Sequence, residues 1–129
     1  MGITMTMLSL KNPIKPYVAA IKVSALTDTG AMYLCLPEHI VLQLELKEHE
    51  KREVTLADGS KKLVSYVGPV EVQYANRRCF VGALVLGDEV LLGAIPMEDM
   101  DLVVHPLSRQ VLVNPLNPNI AHGLAKPFQ

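Results

Sequence analysis

Residues 25–31 constrain the fold of this chain more than any other stretch, because they carry an aspartate out of an apolar run and into a turn. A β-prone segment, residues 21–26, leads directly into Asp28-Thr29-Gly30-Ala31. Aspartate is disfavoured inside strands, and its carboxylate is costly to place among apolar neighbours. The pattern predicts a strand that ends near Asp28. It leaves two interpretations open: a simple strand end, or a carboxylate presented at a glycine turn.

Composition favours a compact chain of short strands. Of the 129 residues, 50% are hydrophobic and 19% are charged, and nine prolines and eight glycines interrupt the apolar runs. This profile is typical of neither a disordered chain nor a coiled coil. A chain of this length is expected to form one domain, residues 1–129, with a C-terminal tail from about residue 115.

Charge and cysteine content argue against several classes of function. The formal net charge of −1 and the short Lys/Arg clusters provide no electrostatic footprint for nucleic acid. The two cysteines, Cys35 and Cys79, lie in apolar runs, where buried free thiols are expected, and are too few for a disulfide framework. No signal peptide or apolar run of membrane-spanning length is visible, so we expect a cytoplasmic protein that binds neither nucleic acid nor membrane.

Alternating apolar residues separated by Gly, Pro, Asn and Asp turns predict a series of short strands. The predicted strands cover residues 3–10, 17–26, 32–36, 53–56, 63–66, 70–74, 79–86, 90–93, 102–105 and 110–113. Short helices are predicted at residues 37–44 and 96–100, a solvated connection at residues 45–52, and a turn at Gly68-Pro69. The predicted fold class is all-β, a small closed barrel or sandwich with one or two short helices.

Three landmarks in a fixed order make the sequence more specific. An apolar strand leads to Asp28-Thr29-Gly30-Ala31, a hairpin turns at Asp58-Gly59, and Leu91-Leu92-Gly93 precedes a short helix. This order resembles the single-lobed, retropepsin-like aspartic proteases of clan AA, and among them the small prokaryotic members. The resemblance covers roughly residues 15 to 115, which is most of the chain.

The resemblance implies a catalytic role for the triplet. Two facing carboxyl groups that share one proton activate a water molecule in this family, because two like charges in close contact cannot both ionise. The chain has a single Asp-Thr-Gly triplet. The resemblance therefore implies a two-fold homodimer, since an isologous interface presents Asp28 from both copies. Thr29 would brace the opposite loop, and Gly30 would allow close backbone approach.

The resemblance also implies a substrate site. Ala31 and Met32 would lie beside a bound peptide, and the hairpin tip, formed by Ala57, Asp58, Gly59 and Ser60, would close over it as a flap. Leu91-Leu92-Gly93 would support the catalytic turn from behind. The implied function is an aspartic endopeptidase that acts on peptide or protein substrates without a metal or other cofactor.

Some residues depart from the family pattern. Met32 replaces the polar residue that commonly follows Ala31, Thr27 stands where an aliphatic residue is usual, and the flap tip carries Asp58 and Ser60 instead of a glycine-rich run. A hydroxyl from Thr27 is expected near the catalytic pair. These departures leave an alternative function open, a catalytically silent protease-like module that binds peptides or dimerises.

Other candidate sites are weaker. Cys35 and His39 are four residues apart, and Cys79 could pair with His105 or His122, but zinc needs three or four clustered ligands. Arg77-Arg78 and Lys61-Lys62 are expected to be solvated turn residues rather than a basic patch. The dimer is expected to use residues 3–10 and 110–113. The tail, residues 117–129, could strengthen that interface or cover the cleft.

Overall fold

The computed structural model describes residues 4–105 and 107–126 of the chain. Most of the described elements are strands. The strands are β1 (Thr4–Lys11), β2 (Ile21–Thr27), β3 (Leu34–Leu36), β4 (Glu48–Thr55), β5 (Lys61–Tyr74), β6 (Arg77–Val85), β7 (Val90–Leu92), β8 (Leu102–Val104) and β9 (Val111–Val113). Two short helices, α1 (Glu38–Gln43) and α2 (Ala94–Asp99), follow β3 and β7.

Six of the strands close into a barrel. The sheet order is β1-β2-β7-β3-β6-β5-β4, and a second pairing of β1 with β5 closes the ring through residues 9–11 and 71–73. Strand β4 extends the sheet outside the ring, and β8 and β9 form a separate two-stranded sheet. The predicted closed β-barrel with two short helices is therefore confirmed.

The barrel encloses one connected hydrophobic core. Its largest fully buried members come from four strands and from the ends of both helices: Leu8, Leu10, Leu34, Leu36, Leu44, Val67, Val70, Val72, Leu92 and Met100. Burial of each such leucine contributes about 1.5–3 kcal/mol to folding. In β1 the buried side chains of Thr6, Leu8 and Leu10 alternate with the exposed Met5 and Met7. The outward methionines therefore lie on the opposite face from the core.

Both helices are short and lie close to where the sequence predicts them. Pro37 precedes α1 with an extended backbone, and Ile40 and Val41 are the buried residues of that helix. The second helix starts two residues before the predicted position and places Pro96 in its first turn, where proline is tolerated. No helix within residues 4–105 and 107–126 is long and apolar enough to cross a membrane.

The solvated connection predicted at residues 45–52 is wrong for most of its length. Residues from Glu48 onward form β4, which pairs antiparallel with β5 from Glu48 opposite Val67 to Thr55 opposite Lys61. Strand β4 is the edge of the sheet, so its charged side chains reach solvent while its backbone is paired on one side. Charge on an edge strand also discourages pairing with other chains. High charge density therefore concealed the first part of β4, whose last residues lie within the strand predicted at 53–56.

The turn predicted at Gly68-Pro69 is also wrong. Strand β5 continues through these residues from Lys61 to Tyr74. The pairing of β5 with β6 shifts between Val67 and Val70, which marks a β-bulge. Gly68 has a φ of 145°, a conformation that side-chain-bearing residues rarely adopt. Glycine and proline here bend a long strand instead of ending it. The strand predicted from residue 17 is shorter, because β2 starts at Ile21.

Arg77 is not the solvated turn residue that the sequence predicts. The turn consists of Ala75, with a φ of 52°, and Asn76, whereas Arg77 begins β6 and is only 2% exposed. Its Nη2 donates to the carbonyl oxygen of Asn117, so the C-terminal segment covers it. Arg78 is exposed, as expected, and forms an ion pair of 3.3 Å with Glu71.

The C-terminal segment is attached to the body of the protein by a carboxylate. Asp101 accepts hydrogen bonds of 3.0 Å from the side-chain amides of Asn114 and Asn117 and from the backbone N–H of His122. The Asn76 side chain donates to the carbonyl oxygen of Pro118 at 2.9 Å. Residues 114–122 are therefore fixed beside the end of α2 and the β5–β6 turn.

Candidate active site

The barrel places Asp28 at the end of a paired strand. Strand β2 runs parallel to β7, with Leu26 opposite Leu91 and Thr27 opposite Leu92. Asp28 is the first residue after β2, and its backbone N–H donates to the carbonyl oxygen of Leu92 at 3.1 Å. The backbone of Asp28 is therefore held by the barrel, while its side chain is exposed.

The glycine turn orients the Asp28 carboxylate. The N–H of Gly30 donates to Asp28 Oδ1 at 2.9 Å, and the N–H of Ala31 donates to the Asp28 carbonyl oxygen at 3.2 Å. A Cβ on Gly30 would lie 3.1 Å from Oδ1, tighter than an ordinary contact. Among the described residues, Oδ2 accepts no hydrogen bond. Asp28, Thr29 and Gly30 are all exposed, so this carboxylate faces outward from the chain.

The backbone at Gly93 packs closely against the segment that follows the Asp28 turn. The Leu91-Leu92-Gly93 pattern predicts support of the turn at this place. A Cβ at Gly93 would lie 2.4 Å from the carbonyl oxygen of Tyr33, so no other residue fits there without a shift of the backbone. The following N–H groups of Ala94 and Ile95 donate to the carbonyl oxygens of Ala31 and Met32 at 2.8 and 2.9 Å. The start of α2 therefore holds the segment after the triplet in place.

Two side chains near the turn differ in their surroundings. The hydroxyl of Thr27, expected near the catalytic pair, lies 3.0 Å from the hydroxyl of Thr6, so it bonds to β1 instead. The Met32 side chain is 58% exposed and free to contact a bound molecule.

Both cysteines are free thiols whose pKa is raised by burial. The thiol of Cys35 is half-buried, and this burial raises its pKa. Burial raises the pKa of the Cys79 thiol to about 12.

The predicted flap is a hairpin tip with its own internal order. The N–H of Leu56 donates to the Ser60 carbonyl oxygen at 2.8 Å. Within the tip, residues 57–60, only Gly59 adopts a positive φ, of 86°. Asp58 Oδ1 accepts from the hydroxyl of Ser60 at 2.5 Å and from its N–H at 2.9 Å. These bonds hold the pKa of Asp58 below its usual range. No hydrogen bond among the described residues joins this tip to the turn at Asp28.

The strand register defines the face of the sheet next to Asp28. Leu26, Leu91 and Cys35 lie side by side, because Leu91 pairs with both of the others. The residues that alternate with them face the core: Ala25, Leu34 and Leu92. A cavity of about 260 Å³ opens on the row of Leu26, Leu91 and Cys35 and is lined mostly by apolar groups. Leu26 on this face lies in β2, two residues before Asp28.

Sequence reasoning missed a cluster of three side chains on the same side of the sheet. The Arg52 guanidinium carbon lies 3.7 Å from the centroid of the Tyr66 ring and 5.7 Å from that of Tyr33. Arg52 Nη1 also donates to the Tyr33 hydroxyl at 3.3 Å. The cluster joins the base of the hairpin to the segment after the triplet. Its members are 14 to 33 residues apart, so no local pattern could indicate it.

Two solved structures resemble this barrel over most of their length. The EIAV protease complexed with the inhibitor HBY-793 matches with a TM-score of 0.52 at 20% identity, over 76% of this chain and 88% of that one. The retroviral protease-like domain of Ddi1 from Leishmania major matches with a TM-score of 0.56 at 11% identity, over 88% and 91%. The chain has a retropepsin-like aspartic protease fold. No protein-family sequence model matches it, and no curated protein matches it by sequence.

The turn at Asp28 lies within a retropepsin-like fold. At 11–20% identity the likeness extends to the fold, so the roles of individual residues depend on the geometry described above. That geometry brings Asp28, Thr29, Gly30, Ala31 and Met32 together in one turn against the start of α2. The hairpin tip at residues 57–60 remains separate from it in the single chain.

Proposed function

We propose that this chain is an aspartic endopeptidase that acts as a homodimer, with Asp28 from each copy forming the catalytic pair. The observation that carries the proposal is the Asp28 carboxylate. It is exposed at the end of a barrel strand and oriented by the Gly30 N–H, within a retropepsin-like fold. A binding module has no evident need for a carboxylate held in this way.

The proposed chemistry needs two carboxyl groups and one shared proton. One carboxylate takes a proton from a water molecule while the water oxygen attacks the peptide carbonyl carbon. The other carboxyl group carries the shared proton and hydrogen-bonds to the carbonyl oxygen, which becomes negatively charged in the transition state. The intermediate then breaks at the C–N bond as the leaving nitrogen receives a proton from the carboxyl group that took it from the water. Each chain supplies one Asp28, so the reaction needs two chains.

Open strand edges support assembly into a dimer. Residues 4–8 of β1 pair only with β2, and β8 and β9 pair only with each other, among the described residues. Both segments predicted at the interface, residues 3–10 and 110–113, therefore retain an edge that could pair with a second chain; residue 3 lies outside the described residues. An isologous contact along a two-fold axis would bring the two triplets face to face.

The remaining site residues have proposed roles in the same assembly, with residues 1–129 acting as one protease domain. Thr29 would hydrogen-bond across the axis, and Ala31 and Met32 would line the floor of the cleft. The hairpin tip, residues 57–60, would close over an extended peptide and exclude water. The peptide would bind as an additional strand between the tip and the floor.

The test is a cleavage assay with a mixture of unstructured peptides at acid and neutral pH. We expect cleavage by the wild-type protein, inhibition by pepstatin, and loss of activity by at least about 1,000-fold in Asp28→Asn, as when a central catalytic group is removed. Sedimentation should show a dimer in the active sample. Peptide binding without cleavage at any pH would instead support the binding-module alternative.

A further inference from the structure

The cluster of Arg52, Tyr33 and Tyr66 lies at the level of the catalytic turn. Strand β3 runs antiparallel to β7, with Cys35 opposite Leu91. The chain from Cys35 back to Tyr33 therefore runs alongside the chain from Leu91 forward to Gly93. Because β2 runs parallel to β7, the same step leads from Leu26 to Asp28. Tyr33 and Asp28 therefore both lie beside the end of β7: the Tyr33 carbonyl oxygen lies against Gly93, and the Asp28 N–H donates to the Leu92 carbonyl oxygen.

Arg52 reaches this region from the hairpin. Glu50 lies opposite Tyr66 in the β4–β5 pairing, so their side chains share one face of the hairpin. Arg52 lies two residues after Glu50 in the same strand, so its side chain is on that face too. The Tyr66 ring lies against Gly82, where a Cβ would be 2.0 Å from the ring hydroxyl. The absence of a side chain at Gly82 thus gives Tyr66 the room to hold the Arg52 guanidinium.

The Arg52 guanidinium has donors to spare. Arginine carries five N–H groups. Among the described residues, its Nε donates to Glu50 Oε2 at 2.9 Å and its Nη1 donates once to Tyr33, which leaves three N–H groups without a protein acceptor. The Arg52 side chain is 34% exposed, and Glu50 is more exposed still at 56%. An ion pair this exposed is weak, so a second carboxylate can bind beside Glu50 or replace it.

Asp58 and Arg52 lie at different levels of the hairpin. Asp58 lies at the tip and accepts two hydrogen bonds from Ser60, whereas Arg52 lies further down β4 with its guanidinium carbon 3.7 Å from the centroid of the Tyr66 ring. The contact with the Tyr66 ring and the hydrogen bond to Tyr33 restrict the position of the guanidinium, and a guanidinium held in place by a ring is suited to carboxylate recognition. An acidic peptide side chain would therefore find its cationic partner at Arg52, beside Glu50, and not at Asp58.

We propose that Arg52, held by Tyr66 and Tyr33, is a specificity-determining residue that binds an acidic side chain of the peptide substrate. The inference rests on the proposed peptidase function and adds the class of side chain selected. The carboxylate of a bound Glu or Asp would accept from the free N–H groups of Arg52 at the level of Asp28. Tyr33 and Tyr66 act as positioning residues for the guanidinium.

The test measures peptide binding without cleavage, using the full-length Asp28→Asn protein. A library of ten-residue extended peptides is scanned with Glu, Gln and Lys at each position, and affinities are read by fluorescence anisotropy. At one position we expect Glu to bind about fivefold more tightly than Gln, as for a partly exposed ion pair. Arg52→Gln should abolish this preference, and Arg52→Glu should reverse it in favour of Lys. Wild-type cleavage of the same library should show the same preference in KM.

Lys51→Glu is the matched control, because it makes the same change of charge one residue away on the opposite face of β4. It should retain the preference for Glu. Binding or cleavage with no acidic preference, or a preference that survives Arg52→Glu, would overturn the inference and leave the peptidase proposal intact. Failure of every peptide to bind and to be cleaved would overturn both. Circular dichroism of each variant establishes that it is folded.

Discussion

At the scale of single residues, the position of Asp28 depends on the close approach of two backbones behind it. Gly93 meets the carbonyl groups of Met32 and Tyr33 at distances that exclude a Cβ, and Leu92 accepts from the Asp28 N–H. The turn at Asp28 is thus held mainly by main-chain hydrogen bonds. A methyl group in this contact should disturb the turn more than its size suggests, since the opposing atoms are backbone and cannot rotate away.

Gly93→Ala tests this contact. The added Cβ would lie 2.4 Å from the Tyr33 carbonyl oxygen, so we expect the free energy of unfolding to fall by about 1–3 kcal/mol, the usual cost of overpacking. Urea denaturation measures the change. Gly123→Ala is the matched control, because a Cβ there meets no atom within 4 Å and the unfolding free energy should change little. Equal stability of the two variants would contradict the proposed support.

At the scale of elements, three of the hydrogen bonds that attach the C-terminal segment converge on the carboxylate of Asp101. The side chain of Asn114, the N–H of His122 and the side chain of Asn117 hold the pKa of Asp101 below its usual range. A carboxyl group with a lowered pKa in the folded state contributes stability above its unfolded pKa. That stability is lost as the pH falls through the lowered folded value. The segment should therefore stay attached at neutral pH and detach only in strong acid.

Asp101→Ala tests this attachment through the amide of His122, which donates to Asp101. We expect slow hydrogen exchange of that amide in the wild-type protein at neutral pH, with protection lost as the pH falls below the usual carboxyl range. In Asp101→Ala the amide should exchange freely at every pH, as NMR can measure. Glu98→Ala, an exposed acid on α2, should leave the protection unchanged. A protected His122 amide in Asp101→Ala would show that other contacts hold the segment.

The elements also show what the sequence could and could not predict. Local signals identified the strand before Asp28, the Asp58-Gly59 hairpin and both helices, because turn residues and apolar alternation act over a few positions. Residues 48–52 of β4 were missed because an edge strand can be densely charged, whereas its last residues lie within the strand predicted at 53–56. Arg77 was misplaced because its burial depends on residues 40 positions away in the C-terminal segment. The contact of Arg52 with Tyr33 and Tyr66 likewise exists only once the hairpin folds over the sheet.

At the scale of the whole molecule, barrel closure and proposed dimerisation divide the site into two halves. The closed ring of six strands fixes the position of each Asp28 within its own chain. A single chain leaves that carboxylate facing outward, with no second acid in its turn. The account therefore predicts that catalysis is a property of the pair of chains and that a chain acting alone is silent.

Mixing wild-type protein with Asp28→Asn at fixed total concentration, after unfolding and refolding together, tests this claim most directly. If two copies of Asp28 form the site, cleavage should fall with the square of the wild-type fraction, because only wild-type pairs are active. Mixtures with Glu53→Gln, which alters an exposed acid on β4, should lose no activity. A linear fall with the wild-type fraction, or activity in pure Asp28→Asn, would contradict the account.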